Sequence, residues 1–307
     1  MKIVVTGGAG FVGRHVVRAA AAAGHDVVAV DRRAPGAGIE AAAWIEEDVR
    51  YPERIAPAIG YADVVIHLAA DASVPHGERA PLAMAEDNVA GTAGALELAE
   101  AVEARQFRFA SSAAVYGDPA GQLPLTEDSP TAPLSFYGWS KWVGEQWCRR
   151  FAHTRGMELV IFRPGNIYGP GQDAAGEGGV VARFCERLRA GQPLVREGTG
   201  EQVRDYIHVS DVAGALLHRL GDPAPPCEGT AGWLFNVGTG VGVTVNALGA
   251  ALAHIAEVPL EWQPEASRPG DIFASVFDPH RLAAWGRPAE VGLEQGLADM
   301  WQATAPQ

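Results

Sequence analysis

Cysteine is scarce in this chain of 307 residues. Its three cysteines, Cys148, Cys185 and Cys227, lie far apart and outside any CxxC or Cys/His cluster. That excludes a disulfide framework and a cysteine-built zinc site, leaves no metal expected, and points to a reducing compartment. Positive charge is in short supply too: 24 Lys and Arg face 37 Asp and Glu, a formal net charge of −13. Without a basic surplus to offset phosphate repulsion, nucleic acid and anionic membrane are excluded as partners. An anionic substrate would need a few arginines gathered locally. No apolar run is long enough to span a bilayer, and the chain opens on "MKIVVTGG" rather than on a basic stretch followed by an apolar one. The expectation is a cytoplasmic protein. Internal repeats are missing as well, and 48% hydrophobic against 20% charged residues describes a globular chain with one large core or two coupled ones.

What is present is alternation. "KIVVT" (2–6), "DVVAV" (26–30), "ADVVIHLAA" (62–70), "QFRFASS" (106–112) and "MELVIFRP" (157–164) are short β-branched or apolar runs of the kind buried in parallel sheets. Between them lie helical stretches: an alanine-rich one stopping at Gly24, a second over 88–104 and a third beginning at Tyr137. This order predicts a doubly wound α/β domain over 1–166, joined by parts of 205–240. From 167 to 307 the pattern becomes a smaller α+β lobe. There the glycine-rich 165–179 reads as a loop, Ser210 or Asp211 as a helix cap, and 221–232 as a surface connection.

"TGGAGFVG" sets Gly7, Gly10 and Gly13 directly after a strand and at the opening of a helix. Glycines there permit a tight turn and close approach of a pyrophosphate, and the helix N-terminus supplies N–H donors. Asp31 ends the next strand, where an acid receives adenosine ribose hydroxyls, and Asp48 follows the third strand, near the adenine. Asp31 repels a 2′-phosphate and so favours NAD over NADP. Arg32 and Arg33 pull the other way, because a neighbouring arginine can bind that phosphate.

Tyr137 and Lys141 are spaced i, i+4, on one helix face. A free phenol is a poor base near neutrality, and an ammonium or a positive nicotinamide ring nearby would favour phenolate. "FASSAAVYG" offers Ser111 and Ser112 at a strand end, where sheets of this kind bind ligands.

With these residues in place the chain resembles the extended short-chain dehydrogenase/reductase family, in its sugar-nucleotide epimerase branch. The resemblance rests on "TGGAGFVG", "DV" at 48–49, "HLAA" at 67–70, "NVAGT", "SSAAVYG", "YGWSK", "RPGNIYGPGQ", "RDYIHVSDVA", "FNVGTG" and "RPGD", in that order. It implies a Rossmann domain that binds NAD and a smaller substrate lobe. By resemblance Tyr137 is the catalytic base, Lys141 its activator and a holder of the nicotinamide ribose, and Ser112 the hydroxyl on the sugar oxygen. Gly7, Gly10, Phe11, Val12, Gly13, Asp31, Arg32, Asp48, Val49, Leu68, Ala69, Ala70 and Asn88 form the cofactor wall. Asn166, Arg204 and Arg268 hold the nucleotide diphosphate, supplying the local cations that the net charge requires; arginine's forked donors suit that group. Arg204 could alternatively pair with Asp205, and Arg163 reads as structural. Ser275 falls at a gate position, where a small residue admits larger sugar substituents.

The implied activity is inversion at C4 of a UDP-hexose of the UDP-glucose/UDP-galactose type, through a transient 4-keto sugar. Ala113 and Ala114 stand where dehydratases carry acids, so dehydration is excluded. A UDP-glucuronate 4-epimerase or decarboxylase, a nucleotide-sugar 4-ketoreductase and an inactive nicotinamide-sensing regulator stay open as alternatives. Asp71 departs from the amide common at its position. A homodimer through helices near 88–104 and 137–153 is implied, with Trp139, Trp142 and Trp147 available to it.

Overall fold

The structure is a computed structural model, and it describes residues 1–34, 43–174, 179–222, 233–267 and 272–305. Two compact units emerge. The first comprises Met1–Val115, Ser135–Arg163 and Ala213–Phe235; the second comprises Tyr116–Leu134, Pro164–Val212 and Asn236–Gln307.

The first unit is built on strands β1 (Lys2–Thr6), β2 (Asp26–Asp31), β3 (Ala43–Glu46), β4 (Val64–His67), β5 (Gln106–Ala110) and β6 (Glu158–Pro164). With β10 (Trp233–Val237) they form, among the described residues, a seven-stranded sheet in the order β10-β6-β5-β4-β1-β2-β3. Each neighbouring pair from β3 through β6 is parallel. The order reverses between β1 and β4, and in such sheets ligands bind beyond the carboxyl ends of the strands at that switch. Helices α1 (Phe11–Ala22), α2 (Pro52–Ile59), α3 (Val74–Arg79), α4 (Pro81–Ala85), α5 (Gly91–Ala101) and α6 (Phe136–Arg155) accompany it. One continuous core joins Val4, Val28, Val65, Phe107 and Ile161 of the strands to Leu96, Leu98 and Cys148 of the helices.

Helix α6 carries the Tyr–Lys pair, and its placement follows from its sequence. Ser135 caps it, its hydroxyl accepting the Gly138 N–H at 3.0 Å, and Gly156 ends it in the left-handed region at φ 68°. Its buried positions include Lys141, Gly144, Glu145, Cys148 and Ala152, an i, i+3/i+4 stripe. A Cβ on Gly144 would lie 2.9 Å from the Phe109 ring, so glycine is what lets the helix descend onto β5. That close approach brings Tyr137 and Lys141 to the carboxyl end of β5.

The second unit centres on β9 (Val203–His208). Strand β7 (Asn166–Tyr168) and β13 (Ala274–Ser275) pair with it in parallel and β11 (Gly242–Thr244) antiparallel. A separate parallel pair joins β8 (Leu194–Glu197) to β12 (Trp262–Glu265). Helices α7 (Val180–Arg189), α8 (Val209–Leu217), α9 (Val245–Ile255), α10 (His280–Ala284) and α11 (Leu293–Ala303) complete the element order. Its core gathers Tyr168, Phe184, Leu248, Leu252, Leu297 and Met300. No helix among the described residues is long and apolar enough to cross a membrane.

Three local expectations change. The glycine-rich stretch 165–179 is not all loop: Asn166–Tyr168 is a strand, paired with residues forty positions away, a long-range ladder that local glycine content hides. Ser210 and Asp211 do not precede α8, which starts at Val209. Ser210 Oγ lies 2.7 Å from His208 Nδ1, and the Asp211 carboxylate accepts the N–H groups of Glu290 and Val291 at 3.1 and 3.0 Å. The helix expected from Asn88 starts with a π turn, Glu86–Ala90, before α5 begins. Most of the expected connection 221–232 lies outside the described residues.

Candidate functional site

The glycine turn after β1 is packed without room for side chains. Gly7 has φ +74°, and a Cβ there would lie 2.6 Å from the Ala69 nitrogen. A Cβ on Gly13 would come within 2.0 Å of the Gly7 carbonyl oxygen, so Gly13 seats α1 against the turn. Phe11 and Val12 open α1, the Phe11 ring meeting His15 edge-on at 5.8 Å. In front of the turn is a cavity of ≈ 530 Å³, bordered by Gly7, Gly10, Asp31, Arg32, Asp48, Val49, Leu68, Ala69, Ala70, Asp71 and Asp87 among others. That volume is within the range of small-molecule sites. A dinucleotide fits these residues: the turn offers bare backbone at a helix N-terminus, and Val49, Leu68 and Ala70 supply apolar wall.

Asp31 is tied to this turn. One carboxylate oxygen accepts the Ala9 N–H at 3.0 Å and the other the Arg33 N–H at 3.0 Å. Asp48 is gripped by Arg50, whose Nη2 approaches to 2.7 Å. Burial works against ionisation of Asp48, but the Arg50 hydrogen bonds and charge, with that of Arg32, hold it below the usual carboxylate range. Arg32 donates from both terminal nitrogens to Asp87, at 3.0 and 3.3 Å, and stands 3.9 Å from Asp48.

At the end of β5 the two serines divide. The Ser111 hydroxyl donates to Glu145 at 2.6 Å, and Glu145 also receives Arg163 through two bonds of 2.7 and 2.6 Å, all three side chains buried. The Ser112 hydroxyl instead accepts the Ala114 N–H at 3.1 Å and stands beside the Tyr137 phenol. Burial pushes the Tyr137 phenol up, the neighbouring Ser112 hydroxyl pulls it down, and the charge of Asp71 pushes it up again. Lys141 is 5% exposed, donates to the Ala110 carbonyl at 2.9 Å and lies 5.1 Å above the Phe109 ring. Burial lowers it to about 8. The i, i+4 spacing predicts Lys141 drawing Tyr137 toward phenolate. In the chain by itself burial leads and the Tyr137 pKa rises, while the Lys141 ammonium is directed at a backbone carbonyl.

Asn88 is buried rather than set in the cavity wall. Its side chain accepts the Asp71 N–H at 2.8 Å, donates to the Asp71 carbonyl at 2.9 Å and donates to the Ser140 hydroxyl at 2.8 Å. It latches the segment after β4 to α6. His67 lies beneath, its Nδ1 2.7 Å from Thr6 Oγ1 and its Nε2 3.2 Å from Thr92 Oγ1. Burial above all, and then Lys141, lower it to about 3, so it is neutral. The Asp71 carboxylate pairs with His76 Nδ1 and accepts the Ser73 N–H at 2.9 Å.

In the second unit, Arg204 and Ser275 are register partners across the β9–β13 pair. The Arg204 guanidinium donates to the carbonyls of Val203 at 2.9 Å and Phe273 at 3.4 Å. Asp205, the alternative partner considered for it, accepts the Thr239 and Gly240 N–H groups at 2.9 and 3.0 Å and the Thr239 hydroxyl at 2.7 Å. Asn166 is an exposed position on β7, two strands from Ser275. Arg268 lies outside the described residues.

A profile of the NAD dependent epimerase/dehydratase family matches residues 3–238. The chain belongs to this family. It is 34% identical over 309 residues to the UDP-glucose 4-epimerase of Mycolicibacterium smegmatis, covering 97% of this chain and 96% of that one. The solved structure of Thermotoga maritima UDP-glucose 4-epimerase with UDP-glucose aligns with TM-score 0.92 and 34% identity over 99% of this chain and 98% of that one. Thermus thermophilus UDP-glucose 4-epimerase, in complex with NAD, aligns with TM-score 0.89 and 34% identity over the same shares.

In this epimerase/dehydratase chain, sequence reasoning found the phenol, the lysine and the glycine turn but missed several supports. Glu145 carried a usable signal, four residues beyond Lys141 and eight beyond Tyr137 on one helix face. Asp87 and His76 carried none, because their partners are chosen by packing.

Proposed function

We propose that this chain is an NAD-dependent epimerase that inverts C4 of a UDP-hexose of the UDP-glucose/UDP-galactose type. The observation that carries the reading is the meeting of Ser112 and the Tyr137 phenol at the carboxyl end of β5, with Lys141 one helical turn away. Gly7, Gly10, Asp31, Asp48, Val49 and Leu68–Ala70 would hold the dinucleotide, since they border the cavity before the glycine turn. Bound NAD supplies the acceptor for the hydride leaving sugar C4 and, in the return step, its donor.

Tyr137 takes the proton of the sugar 4-hydroxyl as the hydrogen on C4 departs as hydride, and gives the proton back when the 4-keto sugar is reduced. Ser112 holds the reacting oxygen, its hydroxyl shared between substrate and phenol. Lys141 places a positive charge beside the same helix turn, which favours phenolate in the loaded site and holds the nicotinamide ribose. Proton and hydride both return within one cycle, so no external reductant is consumed.

The first unit is then the NAD-binding domain and the second the sugar-nucleotide lobe. Asn166, Arg204 and Arg268 bind the nucleotide diphosphate, and Ser275 sets the size of sugar admitted. The reading includes a cytoplasmic homodimer joined through α5 and α6, whose Trp139 and Trp147 are 49% and 51% exposed.

Purified protein incubated with UDP-glucose or UDP-galactose, without added NADH, should convert each into the same equilibrium mixture, resolved by chromatography. No interconversion of any UDP-hexose would sink the proposal.

A further inference from the structure

The cavity before the glycine turn holds two arginines beside the adenosine-side acid Asp31, and these arginines weakened the preference for NAD over NADP drawn from sequence. The structure answers through a residue that the sequence did not single out. Arg32 is bound edge-on by Asp87, both terminal nitrogens donating at 3.0 and 3.3 Å, and Asp48 stands 3.9 Å from the same guanidinium. Arg33 is drawn toward Asp31, Nε to Oδ1 at 3.6 Å. Asp31, Arg32, Arg33, Asp48 and Asp87 all border the cavity, and so does Glu47. Four carboxylates therefore face two guanidiniums, and each guanidinium already has a carboxylate partner.

We infer that Asp87 is a cofactor-specificity residue: it occupies the Arg32 guanidinium and thereby denies a 2′-phosphate its cation. The inference rests on the dinucleotide reading above and deepens it. An arginine next to the β2 acid accommodates a 2′-phosphate only if its fork is available to the anion. Here the fork is filled in the bidentate manner that a phosphate would use, by a carboxylate anchored in the π turn Glu86–Ala90. Asp87 faces the cavity, while Asn88, next in sequence, is buried and locked to Asp71 and Ser140. The carboxylate is thus held in place by its neighbour's bonds. Stability does not explain the pair, because an ion pair whose arginine is 55% exposed contributes only about 0–1 kcal/mol.

The test uses the full-length chain exchanged into equimolar NAD and NADP, desalted, and assayed chromatographically for the dinucleotide retained. The wild-type chain should retain NAD in large excess. Asp87→Asn should raise the retained NADP:NAD ratio roughly tenfold, the equivalent of about 1.4 kcal/mol. Asp87→Glu should stay close to wild type. The Asp87→Asn gain should vanish when combined with Arg32→Ala, which a general loosening of the site would not produce. An unchanged ratio in Asp87→Asn, or a gain that persists without Arg32, overturns the inference. Retention of neither dinucleotide by the wild-type chain overturns the cofactor reading and the inference with it, and is distinguished by the absence of any bound nucleotide.

Discussion

At the end of β5, Lys141 and Glu145 are 5% and 0% exposed, and Arg163 is 4% exposed. At the end of β2, three strands away in the same sheet, the Arg32 and Arg33 side chains are 55% and 71% exposed. Both regions are crowded with charge, yet the charges act through different physics. Buried charge is costly and persists only when paired or hydrogen-bonded, so each such group shifts its proton affinity or fixes a neighbour. Exposed charge is cheap and screened, so it counts mainly through what it offers to a ligand. The β5 end is therefore suited to proton chemistry, and the β2 end to discriminating among anions.

The comparison can be broken at several points. Tyr137→Phe should lower kcat by about 10²- to 10⁴-fold while bound dinucleotide is retained; normal turnover in this variant would remove the phenol from the mechanism. Glu145→Ala strips Arg163 and Ser111 of their buried carboxylate and should cost about 3–5 kcal/mol in urea unfolding. A loss below ~1 kcal/mol would mean that the buried end is not held by its ion pair.

Lys141 sharpens the contrast through pH. Burial lowers it from its ordinary 10.5 to about 8. Below about pH 8 both folded and unfolded chains carry the proton, and the fold bears the full cost of a buried ammonium. Between about 8 and 10.5 the folded chain has released the proton and the unfolded chain has not, so the Lys141 contribution to stability rises with pH. Lys141→Met should remove that rise from the pH dependence of urea midpoints; the same slope in both proteins would refute the assignment.

Smaller effects follow. Gly144→Ala puts a Cβ 2.9 Å from the Phe109 ring and should cost about 1–3 kcal/mol while reducing kcat, because α6 must lift away from β5. Arg32→Ala, at the exposed end, should change stability by less than ~1 kcal/mol. A larger loss there would erase the distinction between the two ends.

Much of the fold was legible in advance because its signals are local. β-branched runs separated by helical stretches have periods of their own, and a glycine turn between strand and helix is readable from spacing. Tyr137 and Lys141 share a helix face because 3.6 residues per turn places i and i+4 together. Asp31 at a strand end needed no tertiary information.

Partner choice was not legible. Two adjacent serines are equivalent in sequence; only the approach of α6 gives Ser111 to Glu145 and leaves Ser112 for Tyr137. Asn88 was expected in the cofactor wall, and packing made it a latch between Asp71 and Ser140. Asp211 was expected to cap a helix, and it holds a backbone segment some eighty residues away. Arg32 is paired with Asp87, a residue 55 positions later in the chain. The backbone period and the side-chain inventory are properties of the sequence alone, so it determined the strand–helix order and which groups could react. Which carboxylate neutralises which cation, and which hydroxyl meets the phenol, depend on surfaces brought together from distant parts of the chain, and only the tertiary structure decided them.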